Sequence, residues 1–195
     1  MKKNLITAVL MTIATTVLLG IIYPLAVTVL AQVLFHDKAN GQMIVRDGTV
    51  IGSRIIAQPF TGASYFHPRA SAAGSGYDAA NSGGTQLGPT NQKLIDRVKR
   101  DVAAAQAENP GKPVPIDLVT TSASGLDPHI TPASADFQSD RVARERGVPL
   151  SDLQAIIAKH TERRSFGFLG EPTVNVLELN LELDSRYPVR KAGTN

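Results

Sequence analysis

The longest hydrophobic run in the chain extends from Leu5 to Phe35 and contains no charged side chain. A helix needs roughly 20 apolar residues to cross the hydrocarbon core of a bilayer, so this run is long enough. Lys2 and Lys3 precede it. Because positive charge in short flanking segments favours the cytoplasmic side, the sequence predicts a single-pass membrane protein of defined orientation. Its N-terminus is expected inside and everything from about His36 outside.

A cleaved signal peptide is the alternative interpretation, and Val29-Leu30-Ala31 resembles a cleavage site. The apolar region of a signal peptide is about 7–15 residues long, and this run is about twice that length. No polar stretch precedes the candidate site. We therefore expect an anchor that is retained in the mature protein.

Small side chains recur at every fourth position of the apolar run. Lipid tails are as apolar as leucine, so membrane helices associate where small residues allow close backbone approach. Pro24 removes one helical hydrogen bond, which predicts a kink. The row predicts a partner helix, although Ala and Thr are also common in membrane helices in general. Its members are Ala8, Thr12, Thr16, Gly20, Pro24 and Thr28.

Shorter hydrophobic patterns follow the run. Asp47-Gly48 between β-branched residues predicts a hairpin from Met43 to Gly52, with a second strand that continues to Pro59. A 3.6-residue period predicts a helix from Lys93 to Glu108. Residues Val114 to Thr120 have the composition of a short strand.

Capping signals predict two more helices. The pair Thr131-Pro132 begins a helix that ends at Arg146. Ser151, with Gln154 three residues later, forms a capping-box pattern that begins another helix reaching about Glu162.

Leucine alternates with polar residues near the end of the chain, which predicts a half-buried strand from Thr173 to Leu183. The order strand, strand, helix, strand, helix, helix, strand indicates a mixed α/β (α+β) domain. The predicted organisation is a cytoplasmic N-terminus and membrane helix over residues 1–35, an extracytoplasmic domain over 36–187, and a polar tail over 188–195.

Two segments have no hydrophobic period: a first loop over residues 60–91 and a second loop over residues 122–132. Neutral hydrogen-bonding groups among rigid aromatic side chains are typical of protein interfaces. The same groups serve equally well to close the domain's own core, and the sequence leaves both interpretations open. The polar groups are Asn81, Ser82, Thr85, Gln86 and Asn91, and the anchors are Tyr65, Phe66, Tyr77 and His129.

Composition excludes several functions. The chain has 20 Lys and Arg against 17 Asp and Glu, for a net charge of +3. Without Lys2 and Lys3 the outer part carries 18 − 17 = +1, so no basic surface for nucleic acid is expected. The absence of cysteine excludes disulfides and thiolate chemistry. The four histidines lack metal-ligand spacing, and we predict neither a metal site nor a catalytic residue.

One stretch has a weak nucleotide-binding signature. Ser82-Gly83-Gly84-Thr85-Gln86 resembles the Ser-Gly-Gly-Gln signature of ABC transporter ATPases, with one inserted Thr. We favour a tight turn, in which Asn and Gln satisfy backbone groups, over nucleotide contact. Ser64, His67 and Asp78 can be drawn as a hydrolase triad, but no Gly-x-Ser-x-Gly elbow accompanies them.

Taken together, several segments resemble the C subunit of the Kdp-type high-affinity potassium-transporting P-type ATPase. The resemblance covers most of the chain in the expected order. The segments are the basic N-terminus with a span containing Tyr23-Pro24, Phe66-His67-Pro68-Arg69, Gly76 to Gly84, Leu87 to Asn91, Ser124 to Ile130, and Gly170-Glu171-Pro172 with Val174 to Asn180.

This resemblance implies a non-catalytic subunit that assembles and stabilises a pump in the bacterial inner (plasma) membrane and covers the outer face of the complex. Its implied partners are a channel-like potassium-selecting subunit, a P-type subunit that hydrolyses ATP, a small single-span subunit and the lipid bilayer. No cofactor is expected on this chain, since the complex handles ATP and potassium. The residues expected to bind the partner outside the membrane are His67, Tyr77, Asp78, Asn81, Ser82, Gly83, Gly84, Asp127 and His129.

Two rival functions remain as expectations. The family has also been proposed to act as a catalytic chaperone that raises the ATP affinity of the hydrolysing subunit, which would place nucleotide near Ser82, Gly83, Gly84 and Gln86. The predicted topology disfavours direct contact with cytoplasmic ATP. The other rival is a membrane-anchored extracytoplasmic enzyme or binding protein that acts alone.

Overall fold

The computed structural model describes residues 1–189, so residues 190–195 of the predicted tail lie outside the described part of the chain. Residues up to Ile44 form one compact unit, and residues from Val45 onward form another. The fold is mixed helix and sheet, as predicted.

Eight helices and five strands follow one another along residues 1–189. The helices are α1 (Lys2–Val17), α2 (Tyr23–Leu34), α3 (His36–Ala39), α4 (Gln92–Glu108), α5 (Ile116–Val119), α6 (Pro132–Arg146), α7 (Leu150–Lys159) and α8 (Val176–Arg186). The strands are β1 (Met43–Arg46), β2 (Thr49–Ser53), β3 (His129–Ile130), β4 (Thr161–Glu162) and β5 (Thr173–Asn175).

The apolar run forms one helical span from Lys2 to Leu34 that contains an 18-residue stretch with a mean hydropathy of 2.4, none of it buried within the chain. A π-helical turn at Leu18–Ile22 joins α1 to α2 just before Pro24. There the Tyr23 N–H donates to the Leu18 carbonyl, five residues back. A π turn of this kind changes the hydrogen-bond ladder where proline removes a donor.

A three-stranded antiparallel sheet, in the order β3-β5-β4, lies at the centre of the second unit. His129 pairs with Asn175, and Thr161 pairs with Val174. Helices α6 and α8 pack against β5, α7 packs against α6, and Phe66 of the first loop completes the core. The largest fully buried apolar side chains are Phe66, Ile130, Leu153, Leu179, Leu183, Val142, Val174 and Val176.

The predicted strand from Thr173 to Leu183 is wrong beyond Asn175, where helix α8 begins. The Asn175 side chain accepts a hydrogen bond from the Glu178 N–H at 3.1 Å and so caps the helix. The buried positions then follow a helical period rather than an alternation. They are Val176, Leu177, Leu179, Asn180 and Leu183.

The predicted strand from Val114 to Thr120 is also wrong, because this segment contains the single helical turn α5. The Asp117 carboxylate accepts hydrogen bonds from the Thr131 N–H (2.8 Å) and hydroxyl (3.1 Å), and from the Ser134 hydroxyl. It therefore binds the N-terminus of α6, where backbone donors lack helical partners. Thr131 caps α6, and Gly147 ends it in a left-handed conformation, as predicted.

Several boundaries differ from prediction. Strand β2 ends at Ser53 rather than Pro59, where the chain turns and the Ile56 N–H donates back to the Ser53 carbonyl. Helix α7 begins at Leu150 after Pro149 and ends at Lys159, so the predicted capping box at Ser151 is wrong. The second loop contains β3, which was expected to be irregular. The hairpin and the helix over residues 93–108 are confirmed.

Candidate functional site

The first loop is held by buried amide side chains. Asn180 of α8 accepts a hydrogen bond from the Phe66 N–H and donates one to the Phe66 carbonyl, both at 2.9 Å. Gln138 of α6 does the same for the next residue, His67, at 2.8 and 3.1 Å. Buried backbone groups need such partners. These amides therefore replace the neighbouring strand that this segment lacks.

His67 is half-buried, and its Nε2 lies 3.0 Å from the Gly62 carbonyl oxygen. Burial lowers the pKa of His67, because a charged imidazolium loses hydration there. The ring is thus neutral near pH 7. These hydrogen bonds of His67 lie within the domain, and its role in partner binding stays a prediction.

Two arginines of α6 fasten the same part of the loop. Arg141 donates to the Tyr65 carbonyl (2.9 Å) and pairs with Glu108 (2.7 Å). Arg146, whose side chain is 1% exposed, donates to the Ser64 carbonyl (2.6 Å) and pairs with Asp184 (2.9 Å). Charged side chains are this buried only when they are paired and hydrogen-bonded.

The second loop packs directly against the first. Gly125 has φ +69°, and a Cβ placed there would lie 2.6 Å from Ala73 N and 2.7 Å from Gly83 O, so only glycine fits. The Ser71 hydroxyl donates to the Gly125 carbonyl at 2.6 Å. The Gly83 N–H and the Ser82 hydroxyl both donate to the Ser124 carbonyl, at 2.9 and 3.0 Å.

Arg69, Asp127 and His129 form the charged centre of these paired loops. Arg69 Nη1 lies 3.2 Å from Asp127, and Arg69 Nη2 donates to the Thr121 carbonyl at 3.2 Å. Asp127 also accepts from the His129 N–H at 3.0 Å, and His129 Nδ1 lies 3.5 Å from it. Its hydrogen bond to Asp127 raises the pKa of His129, although burial acts in the opposite direction.

A compact turn projects from the first loop. The Tyr77 hydroxyl donates to the Arg69 carbonyl at 2.8 Å, and its backbone N–H donates to Ser71 at 2.8 Å. Asp78 accepts from the Asn81 side chain (2.6 Å) and the Ala80 N–H (2.9 Å). The hydrogen bond from Asn81 is the main reason that the pKa of Asp78 lies below its usual value.

The segment with the weak nucleotide signature lines an uncharged cavity of about 290 Å³. The lining residues include Gly84 and Gln86, and none of them is Lys or Arg. Triphosphate sites use cationic side chains, helix N-termini or bound metal to offset the charge of the ligand. A Cβ on Gly84 would lie 2.9 Å from the Ala123 carbonyl, so this glycine serves loop packing.

The structure brings the predicted outer residues together in one pair of loops. Five of them are half-buried and hydrogen-bonded within the domain: His67, Tyr77, Asp78, Asp127 and His129. Those with side chains exposed to solvent are Asn81, Ser82 and Gln86. Whether any of these residues binds a partner stays a prediction.

The side chains that hold the loops were not predicted from the sequence. These are Gln138, Arg141 and Arg146 on α6, and Asn180 on α8. Asn180 was placed on the wet face of a strand. The asparagine cap at residue 175, followed by glutamate three residues later, was the local signal for a helix that would have turned Asn180 inward.

Comparison with known proteins gives a consistent picture. Residues 5–185 match the family model described as "K+-transporting ATPase, c chain". A protein of Koribacter versatilis, described as "Potassium-transporting ATPase KdpC subunit", is 69% identical over 97% of this chain and 98% of its own length. A protein of Rhodospirillum rubrum with the same description is 55% identical over 97% of this chain and 99% of its own.

Proposed function

Because the chain belongs to the family of the c chain of K+-transporting ATPases, we propose that it is a non-catalytic subunit that assembles and stabilises the pump. Family membership confirms the resemblance drawn from the motifs. The non-catalytic role, the individual partners and the orientation in the membrane are our proposals. The partners we propose are the channel-like subunit, the ATP-hydrolysing subunit and the small single-span subunit.

One observation supports the assembly role most directly. The helix from Lys2 to Leu34 is largely apolar, and none of its residues is buried within the isolated chain. Its row of small side chains includes Gly20, where an added Cβ would meet only Thr16 Cγ2 at 3.9 Å. The Thr12 and Thr28 hydroxyls are satisfied within the helix, by the Ala8 and Pro24 carbonyls. The row thus supports close packing rather than polar bonding to another membrane helix.

The substitution Gly20→Leu tests this surface. Since the chain itself has room for the larger side chain, we expect the helix and the outer domain to remain folded. We expect the amount of the other pump chains that co-purifies from membranes to fall several-fold. The matched control is Ala14→Leu, a similar gain in bulk at a position outside the row. Equal co-purification of both variants would remove the proposed helix partner.

We also propose that the N-terminus is cytoplasmic and that the domain from Val45 onward is outside. Lys2 and Lys3 before the span support this orientation. Protease added to right-side-out vesicles should digest the domain, whereas inverted vesicles should protect it. The reverse pattern would place the domain beside cytoplasmic ATP and would return the catalytic-chaperone hypothesis to first place.

The chaperone hypothesis has its own test. The cavity beside Gly84 and Gln86 offers neutral groups only, which favours a packing role for this segment. In the assembled pump, a photoreactive ATP analogue should therefore label the hydrolysing subunit and leave residues 82–86 unlabelled. Labelling of those residues would contradict the proposed non-catalytic role.

A further inference from the structure

A hairpin between β4 and β5 carries three exposed apolar side chains at its end. Phe166 is 88% exposed, Phe168 70% and Leu169 50%. We call residues 166–169 the aromatic tip. An exposed cluster of large apolar side chains on a folded domain marks an interaction site more often than a scattered surface residue does.

Backbone hydrogen bonds hold the aromatic tip in one conformation. Ser165 and Leu169 exchange two backbone hydrogen bonds, at 2.8 and 2.9 Å. Below them Arg164 and Glu171 form an ion pair at 2.6 Å. The two arms of the hairpin continue into the edge strand β4 and the central strand β5, which pair with each other. The hairpin hydrogen bonds and the strand pairing therefore fix the backbone that carries the apolar side chains.

Phe166 has an unfavourable backbone conformation. Its φ is +54°, in the left-handed region, and Gly167 follows with φ +83°. A bulky side chain is uncommon there, and Asn or Gly would satisfy the turn with less strain. The Phe166 ring is not buried within the domain, so no packing contact there offsets the strain of its backbone. Residues held in strained backbone conformations cluster at functional sites, which makes Phe166 a candidate for binding.

We propose that the aromatic tip inserts into an apolar pocket on another chain of the same ATPase, with a carboxylate at the rim of that pocket. This inference rests on the proposed role as an assembling subunit. Family membership establishes that the chain works within a pump of several chains, so a protein surface is available to the tip.

The rigidity of the tip favours a protein pocket over a lipid surface. A fluid bilayer accepts apolar side chains in many conformations, so strain and a clamped hairpin bring no benefit there. A protein pocket binds a preorganised side chain with higher affinity, because less conformational freedom is lost on binding. Buried aromatic anchors are also the usual centres of binding energy in protein interfaces.

The neighbouring charges favour an acidic rim. Arg164 is compensated by Glu171, whereas the exposed Arg163 has no ion-pair partner among residues 1–189. Glu162 lies at the base of the hairpin, on β4. Glu162 also has no ion-pair partner among residues 1–189, but Arg163 is closer along the chain to the apolar side chains. The charge nearest to the tip is therefore positive, and a carboxylate beside the pocket would complement it.

The test places a photocrosslinking residue at the tip in the complete, purified pump. With p-benzoyl-phenylalanine in place of Phe168, irradiation should attach the chain to one other pump chain, at one peptide. The same probe in place of Ile116, an isolated apolar residue that is 75% exposed on α5, is the control. We expect an adduct yield several-fold higher from position 168. Equal yields, or no protein adduct from position 168, would overturn the proposal.

A second measurement separates a lipid from a protein. An environment-sensitive fluorescent amino acid, encoded in place of Phe168, emits at longer wavelength than tyrosine or tryptophan and so reports on this position alone in the complete pump. In the assembled pump its emission should shift to shorter wavelength and be protected from an aqueous quencher, while brominated lipids leave it unaffected. Quenching by bromines placed about 5–10 Å below the headgroups would instead show insertion into the bilayer and overturn the protein partner.

Two further variants distinguish loss of binding from loss of folding as the cause of a lower crosslinking yield. Phe166→Asn retains the left-handed turn and removes one ring, and Arg163→Glu reverses the free charge. Both should lower the crosslinking yield from position 168 several-fold, with unchanged unfolding of the isolated full chain or a slight gain in stability. If the pump co-purifies normally yet position 168 gives no adduct, the tip proposal fails and the assembly role stands. If no other pump chain co-purifies, the assembly role itself fails.

Discussion

Phe66 and Phe168 both lie in segments outside helices and strands, yet Phe66 is 0% exposed and Phe168 is 70% exposed. The difference lies in the backbone around each ring. Phe66 enters the core because Asn180 satisfies both of its backbone polar groups. The backbone of the aromatic tip is satisfied by its own hairpin bonds, so it can project into solvent. In this protein, polar partners decide which irregular segment is buried.

The largest effect should separate the two phenylalanines directly. Phe66→Ala removes a fully buried ring from the core, which typically costs about 3–5 kcal/mol. Phe168→Ala removes a ring that lies mostly in water and should change the free energy of unfolding by less than about 0.5 kcal/mol. Chemical denaturation of the two full-length variants measures both. Similar losses would mean that the tip packs against the domain.

The next effect tests the amide that holds Phe66. Asn180→Leu keeps the side chain close to its original size but leaves the Phe66 N–H and carbonyl buried without partners. Since each such group costs about 1–3 kcal/mol, the free energy of unfolding should fall by about 2–4 kcal/mol, some relaxation included. The control is Gln106→Leu on α4, where the exposed amide has no side-chain hydrogen bond among residues 1–189, and it should change stability by less than about 0.5 kcal/mol. A neutral Asn180→Leu would contradict the role of this amide in burying the loop.

The limits of sequence prediction follow from the same contrast. The apolar N-terminal helix, the hairpin at Asp47-Gly48 and the cap at Thr131 depend on neighbouring residues, and all three were predicted correctly as local structures. The loop anchors depend on partners more than 70 residues away, such as Gln138 for His67. No local pattern specifies which buried amide faces which loop carbonyl.

Helix α8 shows a different limit. Leucines at positions 177, 179, 181 and 183 alternate as in a strand, and they also fit a helix that is buried on most of its surface. The chain resolves this ambiguity through the Asn175 cap and through packing of Leu179 and Leu183 in the core. The motifs therefore identified the residues of the paired loops, whose role in binding stays a prediction, whereas the side chains that support these loops became visible only in three dimensions.

A smaller, pH-dependent effect should arise at the paired loops. Because Asp127 raises the pKa of His129 in the folded protein, folding takes up a proton there. The stabilisation is fully present below the unfolded pKa of 6.5 and is lost as the pH rises through the higher folded pKa. The difference in unfolding free energy between the wild type and His129→Asn should shrink over that range. A difference that is independent of pH would show that the ion pair does not form in solution.

The smallest expected effect has the opposite sign and concerns the tip itself. Phe166 holds a left-handed backbone conformation, which costs a bulky L-residue roughly 1–2 kcal/mol, whereas asparagine tolerates it. Phe166→Asn should therefore raise the free energy of unfolding of the isolated full chain by about 0.5–1 kcal/mol. Phe168→Asn, in the same tip, relieves no such strain and is the matched control. A gain in stability together with weaker attachment to the pump would mean that the sequence retains Phe166 for binding at a cost to folding. A loss of stability would mean instead that the ring supports the hairpin, and the argument from strain would no longer favour a partner.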